Sequence, residues 1–274
     1  MRPPDAIAGW EDNLNAELYA RFTRDYPMYA DTSRDLAARA DLSDKQVVVD
    51  LCGGTGVTAG VLLEALPQRG RVISVDNAKA MQAAGQRTLV DPRIIWVLST
   101  AEEVADHIKE PVDAVVCNSA IWKTDTLATF AGVRRILRPG GRFVFNIGGS
   151  FAGLTNPHDG LARSTPSLTD LINAIAVHDY GYVPRREGKS GPVLTPAIVV
   201  DQLTATGFTV LESDTVAHQG TVEEKRAWLS IPLFARPPGQ LTHLQRMEIL
   251  QKAYDKVDKT RVNTTSWLVV VAQA

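Results

Sequence analysis

The chain has 274 residues, 45% hydrophobic and 22% charged, with a formal net charge of −2 at pH 7. That is ordinary globular composition with ample material for a core, and it lacks the basic excess that a nucleic-acid partner requires. Its two cysteines, Cys52 and Cys117, have no metal-ligand spacing, which argues against a zinc site.

In chain order, spaced apolar residues predict helix from about Asn13 to Ala40, broken at Pro27. Asp31, Thr32 and Ser33 are good N-cap types, so a second helix is expected to begin there. Strands and helices then alternate. Val47–Leu51 is a continuous apolar strand of the kind buried on both faces of a parallel sheet. Thr58–Leu66 reads as helix, Arg71–Val75 as strand, Ala78–Thr88 as helix, and Ile94–Leu98 as strand. Glu102–Lys109 reads as a short helix, Ala114–Cys117 as strand, and Thr126–Leu137 as an amphipathic helix. A Pro139-Gly140-Gly141 turn then leads into a fifth strand, Arg142–Ile147. Repeated βα units of this kind predict a doubly wound α/β sheet.

The alternation stops at Gly148. Residues 148–192 are rich in Gly, Pro and Ser, with one predicted helix at Ser167–Val177, and are expected to form a lid inserted after the fifth strand. Helix returns at Pro196–Thr206. Phe208–Glu212 and Ser266–Ala272 read as the last two strands, with helices Val222–Leu229 and Leu241–Val257 between them. The expectation is one domain over 1–274, with a helical cap at 1–42 and the lid at 148–192.

The stretch VVVDLCGGTGVTAG carries the chemistry. Gly54, Gly56 and Ala59 fit a dinucleotide fingerprint, and Asp76 follows at the end of the second strand, where an acid can hold a ribose diol. Asp50 separates the cofactor classes. A nicotinamide dinucleotide lays its pyrophosphate over this turn, and a carboxylate there would repel it. S-adenosylmethionine carries no phosphate; its ammonium and sulfonium favour a nearby acid. The competing reading is that Asp50 caps the following helix.

With these residues in view, the chain resembles class I S-adenosylmethionine-dependent methyltransferases of the small-molecule type. VVVDLCGGTG looks like the family's first motif, VISVDNAKAM its second, and STAEEV its adenine-side loop. VDAVVCNSAIW is similar to the fourth-strand motif and LRPGGRFVFNIGG to the fifth. The resemblance implies a mostly parallel seven-stranded sheet and a cofactor site of Asp50, Gly53, Gly54, Gly56, Asp76, Asn77, Met81, Thr100, Ala101, Glu102 and Asn118. Two positions depart from the pattern. Cys52 stands at the family's first glycine, which the turn tolerates if φ there is negative. Thr100 replaces the usual adenine-side acid, with Glu102 as the alternative group there.

Methyl transfer from a sulfonium is an in-line displacement, so alignment and exclusion of water matter more than a catalytic signature. The fourth strand ends Asn118-Ser119-Ala120-Ile121-Trp122, unlike the motif of enzymes that methylate planar amino groups. No acidic cluster suits Mg²⁺. The expected acceptor is therefore a small, largely apolar molecule, methylated without a metal. Trp122, Tyr19, Tyr29 and Tyr182 are the candidates for binding it, and His158, His178 and Tyr180 for catalysis. The alternative in another reaction class is a cyclase or pericyclase that binds S-adenosylmethionine without transferring methyl. The N-terminus is not expected to be a signal peptide, and no apolar run approaches the ~20 residues of a membrane span. A cytoplasmic monomer or homodimer with free thiols is expected.

Overall fold

The computed structural model describes residues 9–154, 165–184 and 193–274. They form two compact units: 9–154, 193–217 and 266–274 in the first, and 165–184 with 218–265 in the second.

The first unit opens with α1 (Asn13–Asp25), whose Asp12 cap accepts from the Asn15 N–H at 3.0 Å. Helix α2 spans Met28–Ala40. It starts three residues before the expected cap, because Pro27 already lies in the helical region (φ −78°, ψ −12°). Thr32 and Ser33 sit inside the helix instead: the Thr32 hydroxyl donates to Met28 O at 3.1 Å, and Ser33 pairs with Thr58 at 2.9 Å.

Strand β1 (Val47–Leu51) is buried along its whole length. Val47, Val49 and Leu51 join one apolar layer and Val48 the other, so the continuous apolar run is what a two-faced central strand demands. Helix α3 (Val57–Ala65), β2 (Arg71–Asp76), α4 (Lys79–Thr88), β3 (Ile94–Leu98), α5 (Val104–His107), β4 (Val112–Cys117), α6 (Thr126–Ile136) and β5 (Leu137–Gly148) follow. After α7 (Leu168–Tyr180) come α8 (Pro196–Ala205), β6 (Thr209–Thr221), α9 (Val222–Ser230), α10 (His243–Lys256) and β7 (Val262–Gln273). The sheet order is β3-β2-β1-β4-β5-β7-β6; β1 to β5 pair in parallel, and β7 lies antiparallel to β5. The order reverses between β1 and β4, so the crevice at their C-terminal ends is where such a sheet binds ligands.

Three strand expectations are corrected. Pro139–Gly141 is a bulged excursion inside β5, whose pairing jumps from Val112↔Leu137 to Ala114↔Arg142. β6 runs well past Glu212, because as an edge strand it exposes most of its polar residues and shows no apolar run. β7 starts at Val262, four residues before the expected Ser266, because its first residues are mostly polar.

In the second unit, α7 and α10 both begin with capping boxes, Ser167/Asp170 and Thr242/Gln245. With α9 they enclose a core that includes Leu168, Ile172, Leu229, Ile249 and Ala253. Of the expected lid, 148–154 belong to the first unit and 165–184 to the second; 155–164 and 185–192 lie outside the described residues.

Candidate cofactor and active site

The turn after β1 is built for close approach. A Cβ on Gly53 would lie 2.3 Å from Ser74 Oγ and 2.4 Å from Asp50 Oδ2, so only glycine fits. Gly54 and Gly56 have positive φ, at 55° and 83°. Cys52 does too, at 57°, which corrects the expectation of a negative angle and costs about 1 kcal/mol in backbone strain for a residue with a Cβ. Its thiol hydrogen-bonds with Cys117, which together with burial holds Cys52 well above the ordinary thiol range.

Asp50 is 1% exposed. Ser74 Oγ donates to its Oδ2 at a long 3.4 Å, and Oδ1 is buried without a hydrogen-bond partner. Burial first, then the Asp76 charge, pushes its carboxyl up to about 7; the Ala59 N–H and the Ser74 hydroxyl offset part of this. Asp76 accepts from the Gly54 N–H and the Ala78 N–H, both at 2.8 Å. Burial raises it as well, and these two donors oppose the rise. Asn77 is half-buried beside it, and Met81 is buried on α4.

In the loop after β3, the Ser99 N–H donates to Asp76 O at 3.0 Å, and Ala101 is buried. The Thr100 hydroxyl turns to Glu103 Oε2 at 3.0 Å. Glu102 Oε1 accepts from the Asp125 N–H at 2.8 Å, which ties it to the cap of α6, while Oε2 is buried without a partner.

At the end of β4 the Asn118 amide reaches Thr32 Oγ1 and Ser33 Oγ at 3.0 Å and Tyr29 O at 3.3 Å. Ser119 has φ 59° and is held by Asn146 Oδ1, which accepts from its N–H; Trp267 Nε1 donates to its hydroxyl at 2.8 Å. Trp122 donates to Ser119 O at 3.2 Å and stacks on Phe151 with ring centroids 3.6 Å apart. Tyr19 and Tyr29 are half-buried, hydrogen-bond to each other, and are both raised by burial. Charges on Asp76 and Asp50 raise Tyr19 further.

Sequence reasoning missed Lys123. Its ammonium lies 4.2 Å from the Trp10 ring centroid and 5.4 Å from that of Trp122, with Asp76 and the thiols Cys52 and Cys117 acting on it electrostatically. Trp10 and Phe151 were missed as well. The signal available in the sequence was the Trp122-Lys123 pair just past β4.

The other candidates fall elsewhere. His178 is exposed on α7 and pairs with Asp179 at 2.8 Å. The Tyr180 hydroxyl donates to Glu248 Oε2 at 2.9 Å. Tyr182 is buried in the core of the second unit. His158 lies outside the described residues. Among the described residues no group of three or more His, Cys, Asp or Glu could hold a metal, and no helix is long and apolar enough to cross a membrane.

A seven-stranded sheet of this order, with paired acids at a glycine turn beside the switch point, defines a class I methyltransferase fold. Residues 48–141 match the methyltransferase-domain family. Trans-aconitate 2-methyltransferase of Azoarcus sp. (strain BH72) is 31% identical over 158 residues, covering 57% of this chain and 56% of the relative. The matched region thus spans little more than half of that relative's length. Geranyl diphosphate C-methyltransferase from Streptomyces coelicolor A3(2) shares 13% identity at a TM-score of 0.51, covering 88% of this chain and 74% of that one. A cyclopropane synthase from Mycobacterium tuberculosis shares 15% at 0.50, covering 88% and 82%. At these identities the two structures show the fold. The similarity to the methyltransferase-domain family is thus carried by residues 48–141, and the chain has the class I methyltransferase fold.

Proposed function

We propose that this protein transfers a methyl group from S-adenosylmethionine to a small-molecule acceptor by in-line displacement, without a metal. The observation that carries the reading is Asp50: a buried carboxyl with an unpartnered oxygen, pushed up to about 7, beside a second, half-buried acid at a turn where position 53 admits only glycine. Two desolvated acids side by side are costly until a cation arrives. A sulfonium cofactor supplies that cation and an electrophilic methyl group; a pyrophosphate would add repulsion.

In this reading Asp76, its oxygens aligned by Gly54 and Ala78, holds the ribose hydroxyls. Gly53, Gly54 and Gly56 admit the cofactor's body, with Asn77, Met81, Thr100, Ala101 and Glu102 along the adenosine and Asn118 at its other end. Tyr19, Tyr29 and Trp122 form the acceptor wall and exclude water. The catalytic candidates His178 and Tyr180 are engaged with Asp179 and Glu248, so a proton acceptor is open to assignment only if the acceptor needs one. The relative named for trans-aconitate makes carboxylic acids the first acceptors to test. We further read the protein as a cytoplasmic monomer or homodimer with no nucleic-acid or membrane partner.

Calorimetric titration with S-adenosylmethionine, S-adenosylhomocysteine and NAD tests the cofactor reading. Binding of the two sulfur compounds and not NAD is expected; binding of NAD alone overturns it. Incubation with methyl-labelled S-adenosylmethionine and an acceptor library then separates transfer from cofactor binding alone.

A further inference from the structure

Lys123 is the cation of a site otherwise lined by acids, thiols and aromatic rings. It sits on a 3₁₀ turn, Ile121–Lys123, one step past β4 at the C-terminal edge of the sheet. Its ammonium is half-buried between the Trp10 and Trp122 rings, and burial lowers its affinity for a proton. Among the described residues it forms no ion pair. Its backbone N–H donates to Ala120 O at 2.9 Å, and the Trp122–Phe151 stack fixes the wall beside it. A partly desolvated ammonium held on aromatic faces, with no carboxylate in contact among the described residues and Asp76 acting on it only through its charge, is arranged to receive an anion.

We infer that Lys123 is the subsite for a carboxylate of the acceptor, and that the acceptor is a small carboxylic acid docked against the Trp122–Phe151 wall. This rests on the methyltransferase reading above. Electrostatics also orders the binding. Asp50 and Asp76 repel an incoming anion while the cofactor site is empty. A cationic cofactor cancels that repulsion, so the acid enters second. If the carboxylate is itself methylated, its oxygen carries no proton to remove, and esterification erases the charge that Lys123 holds, which favours release.

The test is calorimetric, on the full chain loaded with sinefungin, a cofactor mimic of net positive charge, or with the net-neutral S-adenosylhomocysteine. The probes are trans-aconitate, fumarate and benzoate, each against its methyl ester. At least one acid is expected to bind the sinefungin-loaded protein, about tenfold tighter than its ester and tighter than it binds the homocysteine-loaded protein. Lys123→Met is expected to lower acid affinity about tenfold and to leave ester and sinefungin affinities within about threefold, with Lys123→Arg close to wild type. Acid binding unchanged in Lys123→Met, a parallel loss for acid and ester, or no acid bound by the sinefungin-loaded wild type overturns the proposal. Failure of sinefungin itself to bind overturns the methyltransferase reading and the subsite with it.

Discussion

Asp50 sets a trade between stability and binding. Its folded-state value, about 7, lies above the ~3.9 of an unfolded aspartate. Between those values the folded state binds a proton that the unfolded state has released. Stability contributed by this group therefore falls as pH rises from about 4 to about 7, and stays lowered above that. Asp50→Asn is expected to raise the melting temperature of the ligand-free protein at pH 8 with little effect at pH 4, which thermal unfolding across pH would show. The same variant should weaken S-adenosylmethionine by roughly 1–3 kcal/mol, as should Asp76→Ala, each measurable by calorimetry. Cofactor affinity in the wild type should fall as pH drops through about 7, because the proton competes with the ligand's positive charge. Gly53→Ala places a Cβ on Ser74 and Asp50 and should cost about 1–3 kcal/mol in urea unfolding, together with cofactor binding.

The site is positioned by elements that share polar contacts. Asn118 ties the end of β4 to α2, and Ser33 ties α2 to α3 through Thr58, so one buried network sets the spacing around the switch point. Asn118→Ala leaves the Ser33 and Thr32 hydroxyls short of a partner and should lower stability by about 1–3 kcal/mol, read as a shifted urea midpoint at constant slope. The central strands were legible because β1 and β4 are buried throughout and therefore uniformly apolar. The edge strand β6 was not, since exposure removes the apolar signal. The start of α2 was misplaced because Thr32 and Ser33, good caps in isolation, instead bond within the helix and across to α3.

For the molecule as a whole, a ligand that binds only the folded state stabilises it by mass action. Cofactor at about 100 times its dissociation constant should add about 2.7 kcal/mol, seen as a raised melting temperature. NAD should give no shift, and Asp50→Ala should reduce the shift given by S-adenosylhomocysteine at the same concentration. The division into two compact units was not visible in the sequence. The second is assembled from two stretches that flank α8 and the start of β6; the Gly-, Pro- and Ser-rich 148–192 marks the first in composition, and nothing marks the other.

The sequence by itself determined the alternation of strands and helices, the glycine turn, and the placement of Asp50 and Asp76 at the ends of the first two strands. These are local: burial on both faces writes an apolar run, and a tight turn writes glycine. Tertiary structure alone decided that Asp50 is desolvated, that Cys52 takes a left-handed conformation against Cys117, and that Glu102 serves the cap of α6. It also decided that Lys123 meets Trp10 from more than a hundred positions away. Such facts depend on which distant groups share a dielectric environment, and nearest-neighbour patterns do not encode that.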